Sequence, residues 1–366
     1  MALKIVHCAD VHLETTFPQT RGGAARRKAL ADAFARIVDF AIARADVLTV
    51  GGDLFESERA GPQTFRFIAQ EFARFGKPVY VAPGNHDPHS ANSLLARGDL
   101  PENVRVFNEA AWRSYPLDGD VTLWGFGHTP AEPGRPFAGA RFDRGGVQIA
   151  LVHGSDEERC PPHKRATAPF SSAEIVASGA TLALCGHYHG GYAVREKRKL
   201  VFAYPGSPEP IKFGEGPTHG ALLVAVDGGS VRLEPVVAAR THAIERSCDL
   251  NGVAHENAAF ACVETALEGL GPSDYVRLRL SGVPATGTRV DAGLLQARFG
   301  EGVGSLEIVD ATRAYDYEQL ALEPTVRGFV VRDLLESAQA GGAEGEQAES
   351  ALRYALAAFD GAEIAP

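Results

Sequence analysis

The sequence predicts an α/β protein, a double-sheet sandwich flanked by helices and followed by a smaller α+β domain. Three features carry that expectation. Short β-branched apolar runs alternate with helical patterns over roughly the first 238 residues, and the stretch after His189 changes to strands joined by tight turns. Beyond about residue 239, strand-like and helical segments interleave again. These features divide the chain into residues 1–238, an α+β capping domain over 239–324, and C-terminal helices over 325–366.

The first region repeats one pattern five times, in KIVHCAD, ADVLTVGGD, KPVYVAPGNHD, VQIALVHG and TLALCGHYHG. Each apolar run reads as a buried strand and ends by delivering polar residues, which is where open α/β sheets place their ligands. Between the first two runs, Leu30, Phe34, Ile37, Val38 and Ala41 recur at helical spacing. Phe65, Ile68, Phe72 and Phe75 do the same within Pro62 to Phe75. Both stripes are read as packing faces. After His189, YAVREK, KLVFAYPGS and GALLVAVDGGSVRLEPV read as strands, with Asp227-Gly228-Gly229 as a hairpin connection, and are expected to complete the sandwich as its second sheet.

In the third region, HAIERSCDL, DYVRLRLSG and GSLEIVD read as strands, with a helix at Asn257 to Leu267. Two further helices are expected on either side of Gly341-Gly342. Their stripes are Val326, Val330 and Leu334 with Phe329 beside them, and Leu352, Leu356 and Phe359. Either stripe serves the small domain's own core or docks a partner helix.

Composition narrows the function. With 45% hydrophobic and 22% charged residues, disordered and collagen-like classes drop out. Cys8, Cys160, Cys185, Cys248 and Cys262 are odd in number and scattered without a C-x-x-C pair, so neither a disulfide framework nor a thiolate zinc site is suggested. Cys8 and Cys185 read as core residues. No run is long and apolar enough for a membrane span, and the N-terminus lacks a signal-peptide pattern, so a cytoplasmic address is expected.

The net charge of −10 opposes broad electrostatic binding of nucleic acid, so any such binding must be local. Two basic clusters could serve, Arg21, Arg26, Arg27 and Lys28, and Arg195, Lys197, Arg198 and Lys199. Taken alone, each reads as a solvated helix end or hairpin tip.

The five strand ends together answer one chemical problem. Two divalent cations roughly 3.5–4 Å apart can clamp a phosphate ester and activate water, which requires one bridging group and several terminal ones. Asp53, after Gly51-Gly52, is the natural bridge, because each carboxylate oxygen can face one cation. Asp10 and His12 are spaced i, i+2, as are His187 and His189, so each pair is expected to share a face at its strand end. Asn85 and His153 supply neutral donors. This mixture of carboxylate, amide and imidazole suits manganese, iron or zinc and argues against calcium. Isolated histidines such as His7, His128, His219 and His242 read as core, turn or surface residues.

Asp10-Val-His12, Gly52-Asp53, Gly84-Asn85-His86-Asp87, His153-Gly154 and Gly186-His187-Tyr-His189 resemble the five signatures of the calcineurin-like metallophosphoesterases. The resemblance runs from residue 5 to about 226 and implies that family's double-sheet sandwich. It also implies one metal held by Asp10, His12, Asp53 and His189, and a second held by Asp53, Asn85, His153 and His187. His86 would contact the scissile phosphate or protonate the leaving oxygen, and Asp87 would fix the loop behind the ligands.

Narrower features, Gly-Asp53-Leu-Phe55, Pro83-Gly-Asn-His-Asp87 and Tyr204-Pro-Gly-Ser-Pro-Glu-Pro210, are similar to the SbcD branch of DNA repair exonucleases. The opening Asp10-Val-His-Leu-Glu-Thr-Thr-Phe17 resembles the YhaO-type subgroup more closely. Val11 stands where SbcD proper usually has Trp, and Glu56 where Asp is commoner.

The resemblance therefore implies a manganese-dependent DNA nuclease. It also implies an SbcC- or YhaN-like coiled-coil ATPase as partner, since the chain has no G-x-x-x-x-G-K-[ST] loop of its own. A homodimer is a further expected partnership. Two alternatives stay open. One is a phosphoesterase acting on nucleotides, cyclic nucleotides or phosphoproteins; the other is a DNA-end tether or scaffold whose hydrolysis is secondary.

Overall fold

A computed structural model describes residues 2–17, 23–161, 163–285, 288, 290–339 and 341–361. Arg21, one member of the first basic cluster, lies outside the described residues. The chain forms two compact units. The first comprises Met1–Glu245, Leu270–Arg277 and Gly300–Glu307; the second comprises Arg246–Gly269, Leu278–Phe299 and Ile308–Pro366.

The first unit opens with β1 (Leu3–Cys8), α1 (Gly23–Arg44), β2 (Val47–Val50), α2 (Pro62–Phe75), β3 (Val79–Val81), α3 (Leu94–Arg97) and β4 (Val104–Val106). It continues through β5 (Arg113–Leu117), β6 (Val121–Phe126), β7 (Val147–His153), α4 (Ser172–Ser178) and β8 (Leu182–Gly186). Next come β9 (Tyr192–Glu196), β10 (Lys199–Tyr204), β11 (Gly220–Asp227) and β12 (Ser230–Val237). Two six-stranded sheets result, of order β12-β11-β1-β2-β3-β4 and β5-β6-β7-β8-β10-β9.

The strands after His189 do not make a sheet of their own, contrary to the expectation from their hairpin pattern. β10 runs parallel to β8 and carries β9 on its outer side, whereas β11 pairs antiparallel with β1 and carries β12. Ile5 and Val6 of β1 are buried on opposite faces of the sheet, and β1 is paired on both edges, by β2 on one and by β11 on the edge that would otherwise lie open. The β11–β12 hairpin turns at Gly228-Gly229, both with positive φ (52° and 84°) as a two-residue connection requires.

Leu3, Ile5, Val47, Leu123, Ile149, Leu151, Leu182, Leu184 and Val224 fill the space between the two sheets. The predicted stripes of α1 and α2 cover the outer face of the first sheet, where Leu30, Phe34, Ile37, Ile68 and Phe72 are buried with Val6, Val50 and Val81. α2 starts with Pro62 at its first turn and stops at Gly76 in the left-handed conformation, whose N–H bonds the Phe72 carbonyl. Phe137, Phe142, Phe170 and Ile175 cover the outer face of the second sheet.

A third sheet has the order β13-β14-β15, from β13 (His242–Asp249), β14 (Asp274–Ser281) and β15 (Ser305–Asp310). The helices downstream of Asp249 are α5 (Glu256–Ala266), α6 (Ala292–Phe299), α7 (Tyr317–Ala321), α8 (Val326–Gln339) and α9 (Gly342–Phe359). Tyr317, Val331, Leu352 and Leu356 form a core among the last three.

The inward face of α8 differs from the sequence reading. Gly328 and Val331 are buried, while Val326 (72%) and Phe329 (63%) are exposed. Gly328 packs against the Glu323 and Leu320 carbonyls, an approach closed to any side chain, and this sets the rotation of the helix. No helix among the described residues is long and apolar enough to cross a membrane.

Candidate metal centre

Both sheets of the first unit aim their strand ends at one place. β1, β2 and β3 lead to Asp10 and His12, Asp53, and Asn85, while β7 ends at His153 and β8 leads to His187 and His189. Asp10 and His12 lie beyond β1, so strand alternation is not what orients them. They share a face because both adopt left-handed backbone (φ 54° and 47°), as does Asp53 (φ 50°), and His187 also has positive φ (119°).

Non-glycine residues in this region cost on the order of 1–3 kcal/mol each and persist only where surrounding structure enforces them. Here the loops after β1 and β2 are zipped together. The N–H groups of Asp10, His12 and Leu13 bond the carbonyls of Gly52, Asp53 and Leu54 at 3.0, 2.9 and 3.1 Å. At Gly52 (φ +89°), a Cβ would come within 2.6 Å of His153 Nδ1, so glycine is required for the two sheets to meet.

The hydrogen bonds fix which atoms remain available. His153 Nδ1 donates to the Gly51 carbonyl (2.8 Å), because a carbonyl can only accept, and in the neutral ring its Nε2 therefore carries the lone pair. That Nε2 faces Asn85 Oδ1 at 3.0 Å and Asp53 Oδ2 at 3.3 Å. His12 Nδ1 is held by Glu56 Oε1 (2.8 Å) and His189 Nδ1 by Glu215 Oε1 (2.6 Å). The two remaining Nε2 atoms face each other at 3.1 Å, and His12 Nε2 lies 3.6 Å from Asp53 Oδ2.

Acceptors thus converge on acceptors, in a site where Asp10, His12, Asp53 and His153 are all buried. Such an arrangement calls for positive charge. Asp10, His12 and His189 offer atoms within 4.8 Å of one another, and so do Asp10, Asp53 and His153. The donor set fits divalent cations of intermediate hardness.

Electrostatics agree with that reading. Burial pushes the Asp10 carboxyl up. Burial also acts to raise Asp53, but His153, His12 and His86 outweigh it and hold Asp53 well below the usual carboxylate range. His153 would be pulled down by burial, yet the Asp53 and Asp10 charges lift it to about 9; without a cation, its Nε2 takes up a proton in place of the positive charge that the carboxylates demand. His187, lowered to about 3 by burial and then by His153, stays neutral, the form that ligates metal.

His86 is exposed toward the cavity, and its Nδ1 bonds Glu56 Oε2 at 2.8 Å. This bond raises its pKa against the effect of burial. Asp87 is fully buried and accepts from the N–H groups of Gly84 (2.6 Å), Leu54 (2.8 Å) and Asp53 (3.1 Å). Burial, then the Asp53 charge, raises its carboxyl to about 6.

Several supporting residues escaped the sequence reading. Glu215 sits in Phe213-Gly-Glu-Gly-Pro217, a turn where an acidic residue is ordinary, and nothing marks it as the partner of His189. Glu56 drew notice only as a departure from Asp, yet its two oxygens hold His12 and His86. His128, read as uninvolved, is buried and donates from Nε2 to the His153 carbonyl at 2.7 Å. His7 bonds the Cys185 carbonyl at 3.1 Å and joins the two sheets beneath the centre. The first basic cluster also reads differently, since Arg26 is buried and bonds the Pro210 carbonyl at 2.8 Å.

The centre opens into a cavity of about 810 Å³ lined by His12, Asp53, Asn85, His86, His187 and His189, among others.

The family described as calcineurin-like phosphoesterase matches residues 3–191. A DNA double-strand break repair protein Mre11 from Archaeoglobus fulgidus is 30% identical over 122 residues, covering 32% of this chain and 26% of that protein. The Mre11 protein from Methanopyrus kandleri is 26% identical over 260 residues, covering 63% of this chain and 56% of that protein. The matched stretches thus span about a quarter and about half of those relatives. Among solved structures, a dimetal phosphatase from Danio rerio matches with a TM-score of 0.44 at 10% identity, covering 63% of this chain and 95% of that one. The protein TT1561 of Thermus thermophilus matches with a TM-score of 0.39 at 16% identity, covering 64% and 99%.

Proposed function

This chain belongs to the calcineurin-like phosphoesterase family, and we propose that it is a manganese-dependent DNA nuclease that hydrolyses phosphodiesters with two cations at the centre described above. The observation that carries the proposal is the convergence of lone pairs. Asp53 Oδ2, Asn85 Oδ1 and the Nε2 atoms of His12, His153 and His189 face one another, while the Nδ1 atoms of the three imidazoles are bonded elsewhere. The similarity to two proteins named for DNA double-strand break repair supports DNA as the substrate.

Asp10, His12, Asp53 and His189 would hold one cation, and Asp53, Asn85, His153 and His187 the other. Bound there, the pair supplies charge stabilisation for the phosphoryl group and lowers the pKa of water. Glu56 and Glu215 orient His12 and His189 and leave the Nε2 of each to a cation. Asp87 secures the loop that carries Asn85 and His86.

His86 has its Nδ1 committed to Glu56 and keeps Nε2 for the substrate. As imidazolium it can bond a phosphoryl oxygen or give its proton to the leaving oxygen. An SbcC- or YhaN-like ATPase is the proposed partner, with α8 and α9 as its docking site. Deleting residues 325–366 should release that ATPase in a pull-down and spare hydrolysis of a small diester.

The deciding assay offers end-labelled duplex and single-stranded DNA beside nucleotides, cyclic nucleotides and a phosphoprotein, with manganese or with chelator. Manganese-dependent DNA cleavage, lost in His86→Asn, is expected. Turnover confined to the other substrates, or undiminished after chelation, would refute the reading.

A further inference from the structure

We infer that Arg159, together with Lys164, Lys212 and Arg59, forms a subsite for the backbone phosphates of a DNA strand on either side of the scissile bond. The inference rests on the nuclease reading and deepens it, because it makes the substrate a chain of phosphodiesters rather than a lone phosphate group.

The cavity lining reverses the sign of the whole protein. The chain carries a net charge of −10, yet the wall around the centre includes Arg59, Arg159, Lys164, Arg165 and Lys212. Its carboxylates are already engaged, Asp53 by the His86 N–H, Glu56 by His12 and His86, and Glu215 by His189 and the Ile211 N–H. Arg165 is paired with Glu132. Among the described residues, the other four cations have no carboxylate partner. They come from three separate segments of the chain, which suits an extended polyanion better than a single phosphate.

Arg159 is held in place. Tyr188 donates from its hydroxyl to the Asp156 carbonyl (3.1 Å), Tyr192 donates to Asp156 Oδ2 (3.1 Å), and the Asp156 N–H bonds the Tyr204 hydroxyl (3.1 Å). Three tyrosines therefore fix the turn that follows His153, and the Arg159 N–H closes that turn on the Asp156 carbonyl at 3.2 Å. The Arg159 guanidinium lies 3.7 Å from the centroid of the Tyr192 ring. Asp156, spent on the Tyr192 hydroxyl and the Glu158 N–H, does not neutralise it. Tyrosine stacking leaves the guanidinium's edge donors open to phosphate oxygens.

The test measures binding of labelled single-stranded and duplex oligonucleotides to the full chain by fluorescence anisotropy, in chelator, across a salt series. Arg159→Ala and Lys212→Ala should each reduce the slope of log affinity against log salt by about 0.7 for single strands or 0.9 for duplex. Arg159→Lys should keep the slope, and Arg232→Ala, on the exposed strand β12 outside the cavity, should change nothing. With manganese, Arg159→Ala should lower kcat/KM on the oligonucleotide about tenfold more than on bis(p-nitrophenyl) phosphate. Unchanged slopes beside intact wild-type DNA cleavage would overturn the subsite alone. A wild type that hydrolyses the small diester but neither binds nor cuts DNA would overturn both the subsite and the nuclease reading.

Discussion

The two flanks of the proposed centre are supported in different ways. On one flank, His12 and His189 are each held at Nδ1 by a carboxylate, Glu56 and Glu215. On the other, His153 is held by the Gly51 carbonyl, and the Asn85 loop by three backbone N–H bonds to Asp87. Carboxylate support places negative charge behind its imidazoles and fixes their orientation, so changing it should tune cation affinity. Backbone support is part of the fold, so breaking it should be felt first as lost stability.

The largest expected effect comes from the residue common to both flanks. Asp53→Asn should cut diester hydrolysis on the order of 10³-fold while thermal unfolding stays cooperative. Equal activity in that variant would erase the distinction between the flanks, because neither would then serve a bridged centre.

On the backbone-supported flank, Asp87→Ala strands three buried N–H groups and should destabilise the protein by about 3 kcal/mol or more in denaturant titrations. A stability loss below about 1 kcal/mol would show that this loop is held by something else.

On the carboxylate-supported flank, Glu215→Gln should weaken one of two manganese affinities about 10- to 100-fold and leave the melting temperature nearly unchanged, as read by calorimetric titration. Equal weakening of both sites would mean the flanks are not independent.

The smallest effect concerns pH. His86 is raised above its ordinary 6.5 by Glu56, so its protonated form, complete below 6.5, is lost only as pH rises through the elevated value. The alkaline limb of kcat/KM should therefore lie above 6.5 and move down in Glu56→Gln. A limb that does not move would place the titrating group elsewhere.

Much of the architecture could be read from the sequence, because each of the five polar-tipped apolar runs coincides with a strand and the stripes of α1 and α2 are buried as packing faces. Strand partners were another matter. KLVFAY and GALLVAV look alike, yet β10 extends one sheet and β11 the other, a choice made by which neighbouring edge lies open. β5, whose residues are exposed or half-buried in no regular alternation, and β4, only three residues long, left too weak a period to detect.

Within the centre, the residues that meet were marked by their position after apolar runs, but their orientation was not. Left-handed backbone at Asp10, His12 and Asp53 replaces the strand alternation that the i, i+2 spacing implied. Glu215 was invisible because its role depends on a contact with His189, 26 residues away, rather than on any local pattern.

The most direct test of the central claim is electron paramagnetic resonance of the manganese-titrated protein. The account predicts two ions per wild-type chain with the spectrum of an exchange-coupled pair, and loss of that coupling in Asp53→Asn. A single, magnetically isolated ion in the wild type, or an unaltered coupled spectrum in the variant, would contradict it.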